Sequence, residues 1–141
     1  MNIQTAFFGE TTIDEKGLIR FEHGLPGFDD ERRFVILPLE GNDAFHVLQS
    51  VDTEQVAFVV TNPFLFGEYT FEIDEATVHA LGIEGEEDVA IISIVTVKEP
   101  FDSSTVNLKA PVILNTRTGK GKQVILDKAD YPIRRPLAEK G

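Results

Sequence analysis

The chain has 141 residues, no cysteine, and a formal charge of −11 at pH 7 from 24 acidic and 13 basic side chains. Without cysteine there are no disulfides, thiolate metal sites or cysteine nucleophiles. The acidic balance argues against direct binding to nucleic acid, where cations must displace counterions. No stretch approaches the ~20 apolar residues of a membrane span, so we expect one cytoplasmic domain, residues 1–141, with no membrane contact and no cofactor.

Short runs rich in valine, isoleucine and phenylalanine follow one another along the chain and predict strands. In chain order, the predicted strands are 4–8, 18–22, 34–38, 45–50, 56–61, 68–73, 89–97, 111–115 and 122–126. Between the second and third, Pro26 and Gly27 suit the two central positions of a type II turn. The sequence therefore predicts a mainly β, small, barrel-like domain.

One segment, after the sixth predicted strand, has the features of a helix. Asp74 is suited to the N-cap, Val78 and Leu81 share a face because they are three residues apart, and Gly82 suits the C-cap. The stretch 27–34 is expected to add a single turn, which makes one or two short helices. The last six residues, 136–141, are expected to form a flexible tail.

The charge is unevenly distributed along the chain. Residues 116–141 hold seven basic and three acidic side chains, a balance of +4, so residues 1–115 carry −15. One interpretation is an acidic domain with a basic tail that folds back on it or stays solvated. The other is an acidic face that binds a cationic partner.

The stretch 104–126 has a Gly-Lys pair after a predicted strand, as a phosphate-binding loop does. Such a loop continues with Ser or Thr and then a helix, whereas Lys122 is followed by Gln123 and an apolar strand. The residues 117–121, "RTGKG", are therefore interpreted as a hairpin turn, and no nucleotide site is predicted.

Other catalytic or metal-binding patterns are absent from the sequence. The three histidines are far apart along the chain, and no serine lies in a G-x-S-x-G elbow. A glycosidase-like carboxylate pair stays open as an alternative, although the chain has no tryptophan to form a sugar platform. We therefore expect neither a metal site nor an enzyme.

Two acidic stretches are candidates for a docking surface. In the predicted strand 68–73, side chains alternate with period two, so Glu68, Glu72 and Asp74 form a carboxylate row opposite an aromatic face. The acidic turn at 84–88 adds Glu86, Glu87 and Asp88. Each stretch has a second interpretation as an ordinary solvated face, and calcium is a third for the turn, without the ligand spacing of an EF-hand.

Three motifs in order resemble those of the FliW family of flagellar assembly factors. They are "FEHGLPGFDDERRFVILPLE", then "LQS" with "AFVVTNPFLFGEY", and finally "TVNLKAPVILNTRTGKGKQVIL", and the resemblance spans roughly residues 3–136. It implies a small, mostly β, non-enzymatic cytoplasmic protein. The resemblance further implies binding to the RNA-binding translational regulator CsrA, which relieves repression of flagellin mRNA, and sequestration by free flagellin.

The residues that contact a partner are predicted from this sequence's own pattern. Besides the two acidic stretches, Phe64 and Phe66 are candidate anchors, because interface hot spots are often aromatic; both could equally be core residues. Ile36 is a further candidate of the same kind. The alternative function is a small-ligand-binding or sugar-binding β-barrel without a protein partner, which an apolar cavity with convergent polar groups would favour.

Overall fold

The computed structural model describes residues 1–39 and 41–137, in which strands are the main regular elements. The strands are β1 (Asn2–Thr5), β2 (Gly9–Thr12), β3 (Ile19–Arg20), β4 (Arg33–Pro38), β5 (Phe45–Ser50), β6 (Ala57–Thr61), β7 (Val89–Thr96), β8 (Thr105–Val106), β9 (Val112–Asn115), β10 (Lys120–Gln123) and β11 (Arg135–Pro136). Within these ranges there is one α-helix, α1 (Glu75–Leu81), and there are four short 3-10 turns. The mainly β prediction is confirmed.

Seven strands form a closed barrel. In order they are β7, β6, β5, β4, β3, β10 and β9, and β9 pairs back with the first half of β7. Every pairing in the ring is antiparallel except the one between β3 and β10, which is parallel. Strands β8 and β11 continue from the second half of β7, and the β1–β2 hairpin is a separate sheet.

Apolar side chains fill the barrel interior. Phe34, Leu48 and Val60 come from three neighbouring strands, and they pack with Val112 and Leu114 of β9 in one buried cluster. Each of these five is at most 5% exposed. The outer face is covered on one side by the β1–β2 hairpin and on another by segments from the second half of the chain.

Most predicted strands are confirmed to within one residue, namely 34–38, 45–50, 56–61, 89–97 and 111–115. The prediction for 4–8 was wrong at its second half, because β1 ends at Thr5 and the chain turns back into β2. The Thr5 hydroxyl makes this turn by accepting from the Phe8 N–H at 2.9 Å and donating to the Gly9 carbonyl at 2.8 Å. The strand predicted at 18–22 is shorter, and that at 122–126 begins and ends earlier.

The strand predicted at 68–73 was wrong, because this segment forms no backbone pairing with any strand of the described residues. Its central residue, Thr70, bonds to a side chain instead: the Thr70 N–H donates to the Tyr131 hydroxyl, which in turn donates to the Thr70 carbonyl, both at 2.9 Å. The alternation of burial that motivated the prediction is nevertheless present, with Tyr69 buried between exposed Glu68 and Thr70. The alternation therefore reports side-chain burial here and not sheet pairing.

The helix and the two turns follow their local sequence signals. The Asp74 carboxylate accepts from the Thr77 N–H at 2.7 Å, and Gly82 ends α1 with φ +67°. Gly27 has φ +84° and the Phe28 N–H donates to the Leu25 carbonyl, as a type II turn requires. The hairpin predicted at 117–121 is present, with the turn at 116–119 and its last two residues already in β10. The stretch 27–34 contains one hydrogen-bonded turn, in which the Glu31 N–H donates to the Phe28 carbonyl, and it ends in β4 without forming a helix.

The start of the predicted flexible tail belongs to the sheet. Pro136 pairs with Thr105, and the Leu137 N–H donates to the Ser104 carbonyl at 3.1 Å. The rest of that predicted tail, 138–141, lies outside the described residues.

Candidate functional site

A 3-10 turn, Pro63–Phe66, presents two large apolar side chains to solvent. The Asn62 side chain accepts from the Phe64 N–H at 2.9 Å and Pro63 occupies the first position, so the sequence itself begins the turn here. Phe64 is 51% exposed and Leu65 is 58% exposed. We call Phe64, Leu65 and the two pockets beside them the docking surface.

The first pocket lies beside Phe64 and has a volume of about 420 Å³. Its apolar lining comes from the irregular segment 69–73 and from the start of β7, and its acidic rim includes Glu86. The Phe64 ring contacts Tyr69 edge-on, at 5.6 Å between centroids. Phe64, the segment of the carboxylate row and the acidic turn, which are apart in sequence, are therefore brought together around one pocket.

The second pocket lies beside Leu65 and has a volume of about 540 Å³. Ile36, Val60 and Ile92 line it, and all three belong to the barrel's interior cluster or pack against it. Asp43 and His46 also line this pocket. Ile36 is thus partly buried at the mouth of the barrel, next to the exposed leucine.

The carboxylate row is held in place by tyrosines and not by a strand. Tyr69 is buried, and its hydroxyl donates to the Leu108 carbonyl at 2.7 Å. Burial raises the pKa of Tyr69 well above its usual range, so the hydroxyl stays a donor. The next residue, Thr70, is hydrogen-bonded through its backbone to the Tyr131 hydroxyl. Glu68 and Glu72, which flank this anchored part of the segment, are exposed.

Asp74, the third member of the row, has a structural role. Hydrogen bonds from Thr77 lower the pKa of its carboxyl, and the nearby Lys122 adds to the effect. The carboxylate therefore stays charged as the N-cap of α1, with one oxygen already bonded.

The acidic turn divides into exposed and buried members. Glu86 and Glu87 are exposed, whereas Asp88 is only 8% exposed, contrary to the expectation of a surface contact. Its carboxylate accepts from the Glu84 N–H at 3.1 Å and from Arg117 at 3.4 Å. The Glu84 N–H bond, helped by Arg117, lowers the pKa of Asp88, so this carboxylate stabilises the turn and is not accessible to a partner.

Phe66 differs from Phe64 because it is partly buried. It packs against the apolar cluster on the outer face of the barrel, and the Arg135 guanidinium lies 5.0 Å from its ring centroid. Its place is therefore beneath the docking surface, while Phe64 forms part of it.

Leu65 was not among the residues predicted for the contact surface, yet it is exposed between the two candidate phenylalanines. The Asn62-Pro63 pair predicts a tight turn, and one such turn cannot bury three successive large side chains. That signal was enough to assign at least one of them to the surface.

Metal sites and membrane-spanning helices were also considered in the described part of the chain. Among residues 1–39 and 41–137, no three His, Asp or Glu side chains lie close enough to hold a metal ion. Of the helices in the described part of the chain, none is long and apolar enough to cross a membrane.

Comparisons with known proteins agree over nearly the whole chain. The model of the family described as FliW protein matches residues 2–137. A flagellar assembly factor FliW from Bacillus velezensis is 51% identical over 132 residues, which cover 93% of this chain and 92% of that protein. One from Bacillus subtilis is 44% identical over 138 residues, covering 97% and 96%. A crystal structure of the flagellar assembly factor FliW matches with a TM-score of 0.93 and 43% identity, over the full length of both chains.

Proposed function

Since this chain belongs to the FliW family, we propose that it is a flagellar assembly factor that works by binding other proteins in the cytoplasm and not by catalysis. Its relatives carry the name of flagellar assembly factor over almost their full length. The finer proposal is that it binds the translational regulator CsrA and relieves repression of flagellin mRNA. Free flagellin, in turn, binds this protein and withdraws it from the regulator.

The observation that carries this proposal is the pair of exposed apolar side chains, Phe64 and Leu65, beside acidic residues. Large apolar side chains at the centre of a patch with a charged rim are typical of protein interfaces. Glu86 is exposed and lines the pocket beside Phe64, and Glu68 and Glu72 are exposed on the segment whose other residues line the same pocket. These three carboxylates, the acidic rim, have no ion-pair partner among the described residues. This arrangement suits a partner that has an apolar anchor surrounded by lysine and arginine.

The antagonism is proposed to be at least partly electrostatic. A regulator that binds RNA has a basic surface, and a docked protein of charge −11 places carboxylates near the phosphates. Repulsion between them acts over a Debye length of ~8 Å at physiological salt. The protein can therefore displace RNA from an adjacent site without covering the RNA-binding surface.

The first experiment adds this protein to a preformed complex of CsrA with flagellin leader RNA, and follows RNA release and protein–protein binding together. We expect RNA to leave as the protein complex forms, less completely as salt is raised. If the complex forms and RNA stays bound, the repulsion mechanism is wrong although the partner is right. If no complex forms, the regulator assignment is wrong.

The acidic rim is tested by replacing Glu68 and Glu72 together with lysine. Both side chains are exposed, so the fold should be unchanged while regulator binding is greatly weakened. A matched control replaces Glu15 and Glu54, which are also exposed, with lysine and changes the net charge equally. Unchanged affinity in the first variant, or an equal loss in both, would refute the assignment of this rim.

Sequestration by flagellin is tested by adding purified flagellin before the regulator. We expect flagellin to lower the amount of this protein that binds CsrA, and the RNA complex to be restored. A ternary complex of flagellin, this protein and CsrA with undiminished CsrA binding would contradict competition between the two partners.

The alternative of a small-ligand or sugar-binding barrel is supported by the second pocket, where His46 and Asp43 lie near apolar side chains. The packed interior of the barrel favours the protein-binding proposal, because apolar side chains fill the space in which a ligand-binding barrel holds its ligand. A thermal-shift screen with simple sugars tests the alternative, and a stabilisation that Ile36→Glu abolishes would favour it.

A further inference from the structure

Cationic side chains lie next to one another across three strands of the barrel. Lys120 is the register partner of Arg20 in the parallel pair β10–β3, and Arg20 is the partner of Arg33 in the antiparallel pair β3–β4. The Arg33 guanidinium bonds to both carboxylate oxygens of Asp52. Within residues 1–39 and 41–137, no carboxylate forms an ion pair with Arg20 or Lys120.

These two cations and Lys122 line a groove of about 640 Å³ between α1, the strands β3 and β10, and the turn at Pro26. All three side chains are exposed. Like charges a few ångströms apart repel, by about 1 kcal/mol at 4 Å even in water. The sheet therefore holds Arg20 and Lys120 at neighbouring register positions. With Lys122 they outnumber the two carboxylates of the groove lining, Glu22 and Asp29, so the groove favours an anionic group.

The walls of the groove are fixed before any ligand arrives. The Asn115 side-chain amide donates to the Leu81 carbonyl at 2.7 Å, and the Thr118 hydroxyl donates to the same carbonyl at 3.2 Å. The end of α1 is thereby attached to the β9–β10 hairpin that carries Lys120 and Lys122. A preformed groove loses less conformational entropy on binding.

We propose that this groove binds an acidic peptide segment of a partner protein. Arg20, Lys120 and Lys122 would bond carboxylates, with the arginine suited to a bidentate bond. Glu22 and Asp29 also line the groove. They repel any anionic group, a carboxylate included, but they accept hydrogen bonds from backbone N–H groups, which a peptide has and a phosphate lacks. A peptide with alternating acidic and small residues meets both requirements.

This inference goes beyond the proposed function, because the groove shares no lining residue with the two pockets of the docking surface. An acidic segment bound in this groove would leave the acidic rim free. The protein would then have separate surfaces for a basic and for an acidic ligand.

The test titrates the full chain with a fluorescein-labelled peptide, acetyl-Gly-Glu-Ala-Glu-Ala-Glu-Gly-amide, and follows anisotropy and amide NMR shifts. We expect saturable binding, with shifts at β3, β10 and the end of α1, and no binding of the same peptide with glutamine for glutamate. The variant K120Q/K122Q should bind about tenfold more weakly, since it loses charge-assisted bonds. R20Q serves as a second variant on the neighbouring strand.

The matched control is K16Q/K98Q, which removes two exposed lysines elsewhere and changes the net charge equally. Equal weakening in both double variants, or no binding of the acidic peptide, would overturn the proposal. Stronger binding of inorganic phosphate or ATP at the same residues would overturn the peptide assignment. Self-association that K120Q/K122Q abolishes would instead assign the groove to a second copy of the chain.

Discussion

The substitution Phe64→Ala measures how much the docking surface contributes to binding. Phe64 is 51% exposed, and a phenylalanine buries roughly 150–250 Å² when fully covered, so about 100 Å² of ring is left for a partner. At ~25 cal/mol per Å² this corresponds to about 2.5 kcal/mol, or a roughly 70-fold weaker affinity. The buried half of the ring contacts Tyr69, so a smaller loss of folding stability is also expected.

The assay is isothermal titration of CsrA into wild type and variant, with denaturant unfolding to separate affinity from stability. Phe7→Ala is the matched control, because Phe7 is 55% exposed at the tip of the β1–β2 hairpin, away from both pockets. We expect F7A to bind as wild type does. If a folded F64A binds as tightly as wild type, or if F7A is weakened equally, the docking surface has been placed wrongly.

Three further predictions concern stability. Asn115→Ala should lower the free energy of unfolding by about 2–3 kcal/mol. The reason is that the buried amide loses its hydrogen bond to the Leu81 carbonyl and those it accepts from two backbone N–H groups. Denaturant unfolding measures this change, and an unchanged free energy would contradict the prediction. Lys120→Glu should raise the melting temperature, because it replaces a repulsive neighbour of Arg20 with an attractive one; a lower melting temperature in calorimetry would argue against that reasoning. The pKa of Asp88 lies below the ordinary aspartate value of 3.8, so its stabilising effect is present above that pH and is lost as the pH falls through the lowered pKa. Unfolding curves from pH 7 to pH 2 should therefore decline less steeply in Asp88→Asn, and identical slopes would rule this out.

Short-range signals predicted the elements that depend on neighbouring residues. Asp74 and Gly82 mark the two ends of α1 because capping is a matter of a few residues and of the left-handed backbone that glycine tolerates. The hairpin between β9 and β10 was predicted for the same reason, from turn formers between two apolar runs. The acidic composition and the exposure of Glu68 and Glu72 also follow from the sequence alone.

The sequence predicted which types of residue form the candidate site, but not which of the candidate residues are exposed. The sequence identified Asp88 as a possible contact through the acidic turn, and Phe64 and Phe66 as possible contacts that could equally be core residues. Their separation into exposed, partly buried and buried residues depends on what packs over them. Phe66 packs against a cluster that includes Leu137, far away in sequence, and Asp88 is held by hydrogen bonds that include one from Arg117.

Local sequence patterns located the two ends of α1, the negatively charged stretches and the longer strands of the barrel, but they also predicted a strand at 68–73 that does not form. Contacts between segments that are distant in sequence close the barrel through the β3–β10 and β7–β9 pairs and leave 68–73 outside the sheet. Such contacts also place Ile36 beside Leu65, and Lys120 beside Arg20. Backbone pairing and burial depend on which distant segments come together, and many possible partners compete for each pairing. An alternating pattern shows which face of a segment is apolar, but not which segment will cover it.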